Sequence, residues 1–291
     1  MNVRVVPPDP LIVRDDALRA LAEDVRDGDV TASLLPDGPD IAYLLCKEDA
    51  VIAGRPWFDA THQALDPEVR IDWRIKEGDR VSANTVIATL EGQSRALVTA
   101  ERTSLNFLQT LSGTATTTAQ YVDAVAGTGA KILDTRKTLP GLRMAQKYAV
   151  RMGGGHNHRI GLFDAVMLKE NHIFAFGSLK AAAETATARY PDLPLIVEVE
   201  TLAQLREALE TGCTRILIDD FDADARREAV RIARHEFGGR IPLEVSGGVD
   251  MTTLRTIAAD GVDCISIGAL TKHVRAVDLS MKLGPPPVAA Y

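Results

Sequence analysis

From residue 131 onward the chain alternates short apolar runs, at 131–134, 165–169, 195–200, 215–219, 242–246 and 263–267, with amphipathic stretches at 179–189, 202–210, 223–234 and 253–259. No other feature limits the fold as much. Short runs rich in Val, Ile and Leu read as strands, and strands apolar on both faces that alternate with helices imply a parallel sheet covered by helices. Periodicity alone leaves an open doubly wound sheet and a β/α barrel equally possible. The polar residues favour the barrel, because nearly every run ends in chemistry: Asp134 with Arg136 and Lys137, Lys169 to His172, Glu198 and Glu200, Asp219 and Asp220, Ser246-Gly247-Gly248, and Ser266 with Gly268-Ala269. A ring of functional groups at successive strand C-termini is the layout of a barrel's active face, so a β/α barrel one strand short of eight is expected.

Residues 1–110 read as a separate mixed unit. Helical spacing covers 11–25, strand patterns cover 41–46, 69–73 and 86–90, and Lys76-Glu77-Gly78-Asp79 makes a turn before the last of these. A long helix over 100–126, with Leu105, Leu108 and Leu111 on one stripe, bridges to the barrel at 111–270. At 291 residues and 46% hydrophobic the chain has a full core's worth of apolar side chains. The absence of a membrane-length apolar run and of a signal pattern after Met1 predicts a cytoplasmic protein. Cys46, Cys213 and Cys264 are far apart without metal-ligand spacing, which predicts reduced, buried thiols.

Between Lys131 and His172 there are eight Lys/Arg against three Asp/Glu, in a chain of formal net charge −7. A positive focus on a negative body collects a small polyanion rather than coating a nucleic acid or a membrane. Arg136, Lys137, His158, Arg159 and Lys169 form the cationic set, suited to carboxylates and phosphates, and Gly153-Gly154-Gly155 permits the turn that aims His158 and Arg159. His156, His158 and His172 lack the spacing of a zinc site. Ser246 to Gly248 and Gly268-Ala269 follow the last two strands, where backbone N–H groups can hold a phosphate; the bland alternative is a pair of tight turns. Glu198 and Glu200 on one strand, with Asp219 ending the next, suit a magnesium ion; pairing with nearby arginines is the alternative.

Gly28-Asp29-Val30-Thr31, Glu101 to Asn106, Ser112 to Thr116, the block from Asp134-Thr135-Arg136-Lys137-Thr138 to Asn157-His158-Arg159, Glu198-Val199-Glu200, Ser246-Gly247-Gly248 and Gly268-Ala269-Leu270-Thr271 together resemble the quinolinate phosphoribosyltransferase family over almost the whole chain. Asp220 stands where the family usually has asparagine, and Leu139 where threonine is common. The resemblance implies a TIM-like, seven-stranded α/β barrel with an N-terminal α/β sandwich completed by residues 271–291. It also implies a homodimer in which each barrel is capped by the partner's N-terminal domain. The reaction implied joins quinolinate to phosphoribosyl pyrophosphate, with Mg2+, giving nicotinate mononucleotide, pyrophosphate and CO2 in de novo NAD synthesis.

By family position, Arg136, His158, Arg159 and Lys169 hold the quinolinate carboxylates, with Arg102 of the partner subunit reaching in. Lys137 faces the diphosphate beside Thr135, and Glu198 and Asp219 face the ribose hydroxyls or the metal. Ser246, Gly247, Gly248, Ile267, Gly268 and Ala269 surround the 5-phosphate. Of these, Lys137, Lys169, Glu198 and Asp219 are the expected catalytic groups. The rival readings are a molybdenum-operon relative, a nicotinate-using phosphoribosyltransferase, a non-catalytic phosphosugar-binding barrel, and a lipoyl or biotinyl carrier domain. The carrier needs a lysine at a hairpin tip, where Gly92-Gln93-Ser94-Arg95 offers none. The acids ending Ile216 to Asp220 also begin like the diphosphosugar motif of the other phosphoribosyltransferase class, but Phe221-Asp222-Ala223-Asp224 starts a helix instead.

Overall fold

Asp9 opens the first helix of the computed structural model, which describes residues 8–287: its carboxylate accepts the Leu11 N–H at 2.9 Å, and Pro10 fills a position that needs no donor. In chain order the elements are α1 (Pro10–Asp24), β1 (Pro39–Cys46), β2 (Ala50–Val51), α2 (Arg55–Leu65), β3 (Arg70–Trp73), β4 (Arg80–Val81), β5 (Thr85–Gln93) and α3 (Ser94–Ala124). There follow β6 (Lys131–Leu133), α4 (Arg143–Met152), β7 (Val166–Leu168), α5 (Glu170–Phe176), α6 (Leu179–Arg189), β8 (Leu195–Val199), α7 (Leu202–Leu209), β9 (Arg215–Asp219) and α8 (Ala223–Arg231). The chain ends with β10 (Leu243–Ser246), α9 (Leu254–Ala259), β11 (Cys264–Ser266), α10 (Ala269–Lys272) and β12 (Leu279–Leu283). Backbone contacts divide it into two units: residues 1–119 with 139–154 and 272–291, and residues 120–138 with 155–271. The division falls within α3, after the expected boundary at 110, and α4 groups with the first unit.

In the first unit a four-stranded antiparallel sheet has the order β12-β1-β5-β3. Its C-terminal strand pairs Leu44 with Met281 and Cys46 with Leu279. Gly92 and Gln93 lie in the ladder opposite Asp40 and Pro39, and Ser94 begins α3. They are therefore not a hairpin tip, which removes the geometric basis of a carrier domain. Leu44, Ile52, Phe58, Leu90, Leu105 and Leu108 form the core against this sheet, and Trp57, Leu111 and Tyr148 belong to a second cluster. Gly153 ends α4 where its backbone meets α3: a Cβ there would stand 2.3 Å from the Ala115 carbonyl oxygen. Close approach, rather than the aiming of His158, is the reason for that glycine.

One partly buried carboxylate organises the start of α2. Glu77 accepts the N–H groups of Gly54 and Arg55, the latter at 2.6 Å, and the Tyr148 hydroxyl bonds to it as well. Burial pushes its pKa up to about 7 despite those donors. Arg55 lies over the Trp73 ring at 4.8 Å and donates to the Ile75 carbonyl at 2.9 Å.

The second unit carries six parallel strands in the order β6-β11-β10-β9-β8-β7. The expected seventh strand is reduced to a single parallel bridge, His156 beside Leu133 on the outer edge of β6. After His156 the next N–H groups turn to side chains: Ile160 and Gly161 donate to the Asp164 carboxylate at 2.7 and 2.9 Å, so this stretch cannot extend a ladder. Strand registers sort the residues into two faces. Ile132, Val197, Val199, Ile216, Ile218, Leu243, Val245 and Ile265 lie on one, all apolar. The other bears Glu198, Arg215, Asp219, Glu244, Ser246 and Ser266. The strands are thus not apolar on both faces as expected; period-two alternation places the chemistry on one side.

Helices begin abruptly after these strands because capping side chains stand at the turns. Ser178, Thr201 and Asp222 accept backbone N–H groups of Ala181, Gln204 and Ala225 at the starts of α6, α7 and α8. The three cysteines are free and buried. Among the described residues no helix is long and apolar enough to cross a membrane.

Candidate active site

The polar face of the second unit brings its functional groups to the C-terminal ends of the strands. Thr135 to Lys137 follow β6, Lys169 follows β7, Glu198 lies in β8, Asp219 ends β9, Ser246 ends β10, and Gly268-Ala269 follow β11. Lys169 donates from Nζ to Glu198 Oε2 at 2.6 Å, and the carboxylate is only 9% exposed. Glu200, just past the strand, is exposed, and its N–H is taken by Gln204 at 2.8 Å. Glu198 is therefore the inward acid. His172 caps α5 by accepting the Lys169 N–H on Nδ1 at 3.1 Å, a structural use unlike metal ligation.

Arg159 is partly buried and flanked by Arg136, Asp164 and Glu198. Burial, and next the Arg136 charge, hold its pKa below the usual arginine value, while the two acids oppose the shift. Two guanidinium groups in one partly desolvated place repel each other unless anions stand between them. This arrangement favours a ligand with more than one carboxylate or phosphate.

Asp219 accepts a short hydrogen bond from the Ser246 hydroxyl. Gly247 has φ +86°, and a Cβ on it would stand 2.7 Å from Asp220 Oδ1, so the turn after β10 admits no side chain there. Asp220 itself has φ +54°, a conformation that asparagine also adopts readily. Gly268 packs as closely on the loop after β6: its Cβ would meet the Lys137 side chain at 3.0 Å, and Thr271 Oγ1 donates to the Lys137 carbonyl at 2.8 Å. Thr135 Oγ1 accepts the Lys137 N–H at 3.0 Å. Ile267 is buried and spends its N–H on Leu133 at 2.9 Å, so it belongs to the ladder.

Arg102 belongs to the first unit, unlike all the other expected site residues. It lies on α3, exposed, and lines a cavity of about 360 Å³ with Asp16, Arg19, Asp24 and Leu139. Of the eight cations between Lys131 and His172, Arg143, Lys147 and Arg151 also lie in the first unit, on α4. The basic stretch is therefore divided between the two units.

Residues 29–112 match the N-terminal domain of quinolinate phosphoribosyl transferase, and residues 114–282 match the C-terminal domain of the same enzyme. The chain belongs to the quinolinate phosphoribosyltransferase family. A probable nicotinate-nucleotide pyrophosphorylase [carboxylating] from Synechocystis is 41% identical, covering 97% of this chain and 99% of the relative. The corresponding enzyme of Mycobacterium leprae is 42% identical, covering 93% and 96%. Among solved structures, the nicotinate-nucleotide pyrophosphorylase from Francisella tularensis superposes with a TM-score of 0.91 at 41% identity, over 97% of this chain and 99% of that one.

Two buried acids stand beside His158 in this phosphoribosyltransferase: Asp134, expected at its strand end, and Glu244, which was not. Glu244, fully buried in β10, faces His158 Nε2 at 3.4 Å and accepts from Arg215 at 2.9 Å. Burial alone would raise its pKa, but His158, Ser266 and Arg215 beside it outweigh burial and hold the carboxyl below the usual range. Asp134, also fully buried, accepts from the His158 N–H at 2.9 Å and the Asn157 amide at 2.6 Å. An acid between Leu243 and Val245 was the available signal, since a charge inside an apolar strand needs a partner.

Proposed function

We propose that this protein transfers the phosphoribosyl group of phosphoribosyl pyrophosphate to the ring nitrogen of quinolinate, with loss of CO2, as a decarboxylating pentosyltransferase of NAD biosynthesis. The observation that carries this reading is the pair Arg136 and Arg159 held beside Glu198 and Lys169 at the strand ends of the second unit. The product is nicotinate mononucleotide.

Arg136, Arg159 and Lys169 bind the two carboxylates of quinolinate, with His158 behind Arg159. Lys137 meets the diphosphate beside Thr135, and backbone N–H groups of Ser246 to Gly248 and Gly268-Ala269 receive the 5-phosphate. Held in line, the pyridine nitrogen attacks C1 of the ribose as the C1–O bond to pyrophosphate breaks, through a transition state with oxocarbenium character. Orientation and stabilisation of the departing charge are what these residues contribute. Glu198 and Asp219 hold the ribose hydroxyls. The carboxylate on the adjacent ring carbon then leaves as CO2, the electron pair it leaves on that carbon is stabilised by the neighbouring positive nitrogen, and that pair takes a proton from water.

Magnesium suits the donor set. Among the described residues no group of three or more His, Cys, Asp or Glu is placed to hold a metal. Magnesium usually takes one or two carboxylates and fills its shell with water and substrate oxygens, and Asp219 and Glu198 are hard-oxygen donors of that kind. When bound, the ion would neutralise diphosphate charge.

Arg102 of the partner subunit would complete the carboxylate site in a homodimer; Arg102 belongs to the first unit and the other site residues to the second, as that reading expects. The three unpaired, buried cysteines are in keeping with a reducing cytoplasm. The direct test follows pyrophosphate release from quinolinate and phosphoribosyl pyrophosphate with magnesium. Turnover dependent on all three is expected, and its absence in folded protein would overturn the reading. Asp219→Asn should raise the magnesium concentration needed for half-maximal rate, and an unchanged requirement would remove Asp219 from the metal's shell.

A further inference from the structure

Glu244 occupies a position where the fold has no need of a charge. Its register neighbours are Leu217 and Cys264, and its side chain is fully buried. A carboxylate costs several kcal/mol there unless it is paired and hydrogen-bonded, whereas an apolar residue of the same size costs nothing comparable. The pairing is specific. Arg215 donates to Oε2 at 2.9 Å, and Oε1 stands 3.4 Å from His158 Nε2.

The other end of the same imidazole is also occupied. His158 Nδ1 accepts the backbone N–H of Arg159 at 2.7 Å, which places its proton on Nε2, facing the carboxylate. Asp134 holds the His158 backbone N–H at 2.9 Å. Residues 158 and 159 are therefore fixed from two strands, β6 through Asp134 and β10 through Glu244. Beyond them the Arg159 guanidinium reaches the Ala165 carbonyl at 3.4 Å and the Met167 sulfur at 3.5 Å.

We propose that Glu244 is a positioning residue for the carboxylate clamp: it sets the tautomer of His158, whose Nδ1 anchors the backbone of Arg159 and so aims the guanidinium at the substrate. His158 then acts through Arg159 and not by touching quinolinate. The proposal rests on the reading above that Arg159 binds a substrate carboxylate.

Glu244→Gln tests it with almost no change of shape. Arg215 has only donors, so the amide oxygen must turn to it and the NH2 to His158 Nε2. That forces the proton to Nδ1 and breaks the bond to Arg159. KM for quinolinate should rise about tenfold, the worth of roughly one hydrogen bond, with KM for phosphoribosyl pyrophosphate unchanged. An unchanged quinolinate KM, or an equal rise in both constants, overturns the proposal. If the single variant does not fold, Arg215→Leu with Glu244→Leu removes the ion pair as a whole and should give the same selective rise.

His158 supplies the second arm. Asparagine places its amide oxygen near the Nδ1 position and glutamine places its amide near Nε2, so His158→Asn should retain more quinolinate affinity than His158→Gln, and Glu244→Gln should add nothing in the His158→Asn background. The reverse order means that Nε2 touches substrate and the proposal fails. Arg159→Ala separates the two readings. If it leaves the quinolinate KM unchanged, the clamp assignment falls; if it raises that KM while Glu244→Gln does not, only the positioning role falls.

Discussion

Glu77 in the first unit is partly buried and Glu244 in the second fully buried, and their environments drive the two acids in opposite directions. Glu77 meets two backbone N–H groups, a tyrosine hydroxyl and one nearby arginine, and burial wins, raising its pKa to about 7. Glu244 is more deeply buried but faces His158 and Arg215, and its carboxyl is held below the usual range. Neutral donors satisfy an acid's lone pairs without offsetting all of the desolvation of its charge, whereas a cation within hydrogen-bond reach, here Arg215, does both. The first arrangement fixes a helix start. The second ties a strand to a residue of the substrate site.

The largest effect should come from the residue that the second network aims. Arg159→Ala should lower kcat/KM by about a thousandfold, the ~4 kcal/mol typical of losing a buried charged contact to a ligand, with folding retained. Its counterpart in the first unit, Arg55→Ala, should cost stability and leave turnover per folded molecule near wild type. Comparable kinetic losses in both would erase the distinction between the two networks. For stability, Glu244→Leu leaves Arg215 without its buried partner and should cost about 3–5 kcal/mol in denaturant unfolding, whereas Arg215→Leu with Glu244→Leu should come within about 2 kcal/mol of wild type. If the double variant is as unstable as the single, the pair matters by packing and not by charge.

The pH dependence offers the finest contrast. Glu77 binds its proton more tightly folded than unfolded, so its contribution to stability is fully present below pH 4.5 and declines by about 3 kcal/mol as pH rises towards about 7. His62, in the same unit, has its pKa pushed down to about 4 by burial, so its contribution is lost as pH falls from 6.5 towards 4. The two slopes have opposite signs and partly cancel between pH 4.5 and 6.5. Unfolding midpoints of Glu77→Gln should therefore climb with pH across that window, and those of His62→Gln should fall. Parallel profiles for the two variants would contradict both assignments. Glu244, by contrast, stabilises above pH 4.5 and loses that contribution only as pH drops further.

The helices expected at 179–189 and 202–210 stand as α6 and α7 at Leu179–Arg189 and Leu202–Leu209, and the structure adds the local side-chain caps Ser178 and Thr201 that start them. The helices α2 and α4 were not read. Arg55 to Leu65 begins beside a carboxylate 22 residues away, and α4 opens without a side-chain cap, so neither start is marked by its neighbours along the chain. Thr135, Arg136, Lys137, Lys169, Glu198, Asp219 and Ser246 could be picked out because each follows or ends an apolar run, a pattern visible within a few residues. Glu244 showed only as an acid inside an apolar run, and its pairing with Arg215 was not visible because the two strands meet only through the parallel register.

The sequence alone determined the alternation of strand and helix, the presence of polar groups at strand ends and, through its motifs, the family. These are properties of neighbours along the chain, set by side-chain period and capping. Only the tertiary structure decided that one strand face is wholly apolar and the other carries the acids, that Arg143, Lys147 and Arg151 belong to a different unit from Arg136 and Arg159, and that Glu244 is joined to His158 across 86 positions. Whether a buried charge is paired or stranded depends on which atoms packing brings within hydrogen-bond distance, and no local pattern in the chain encodes that distance.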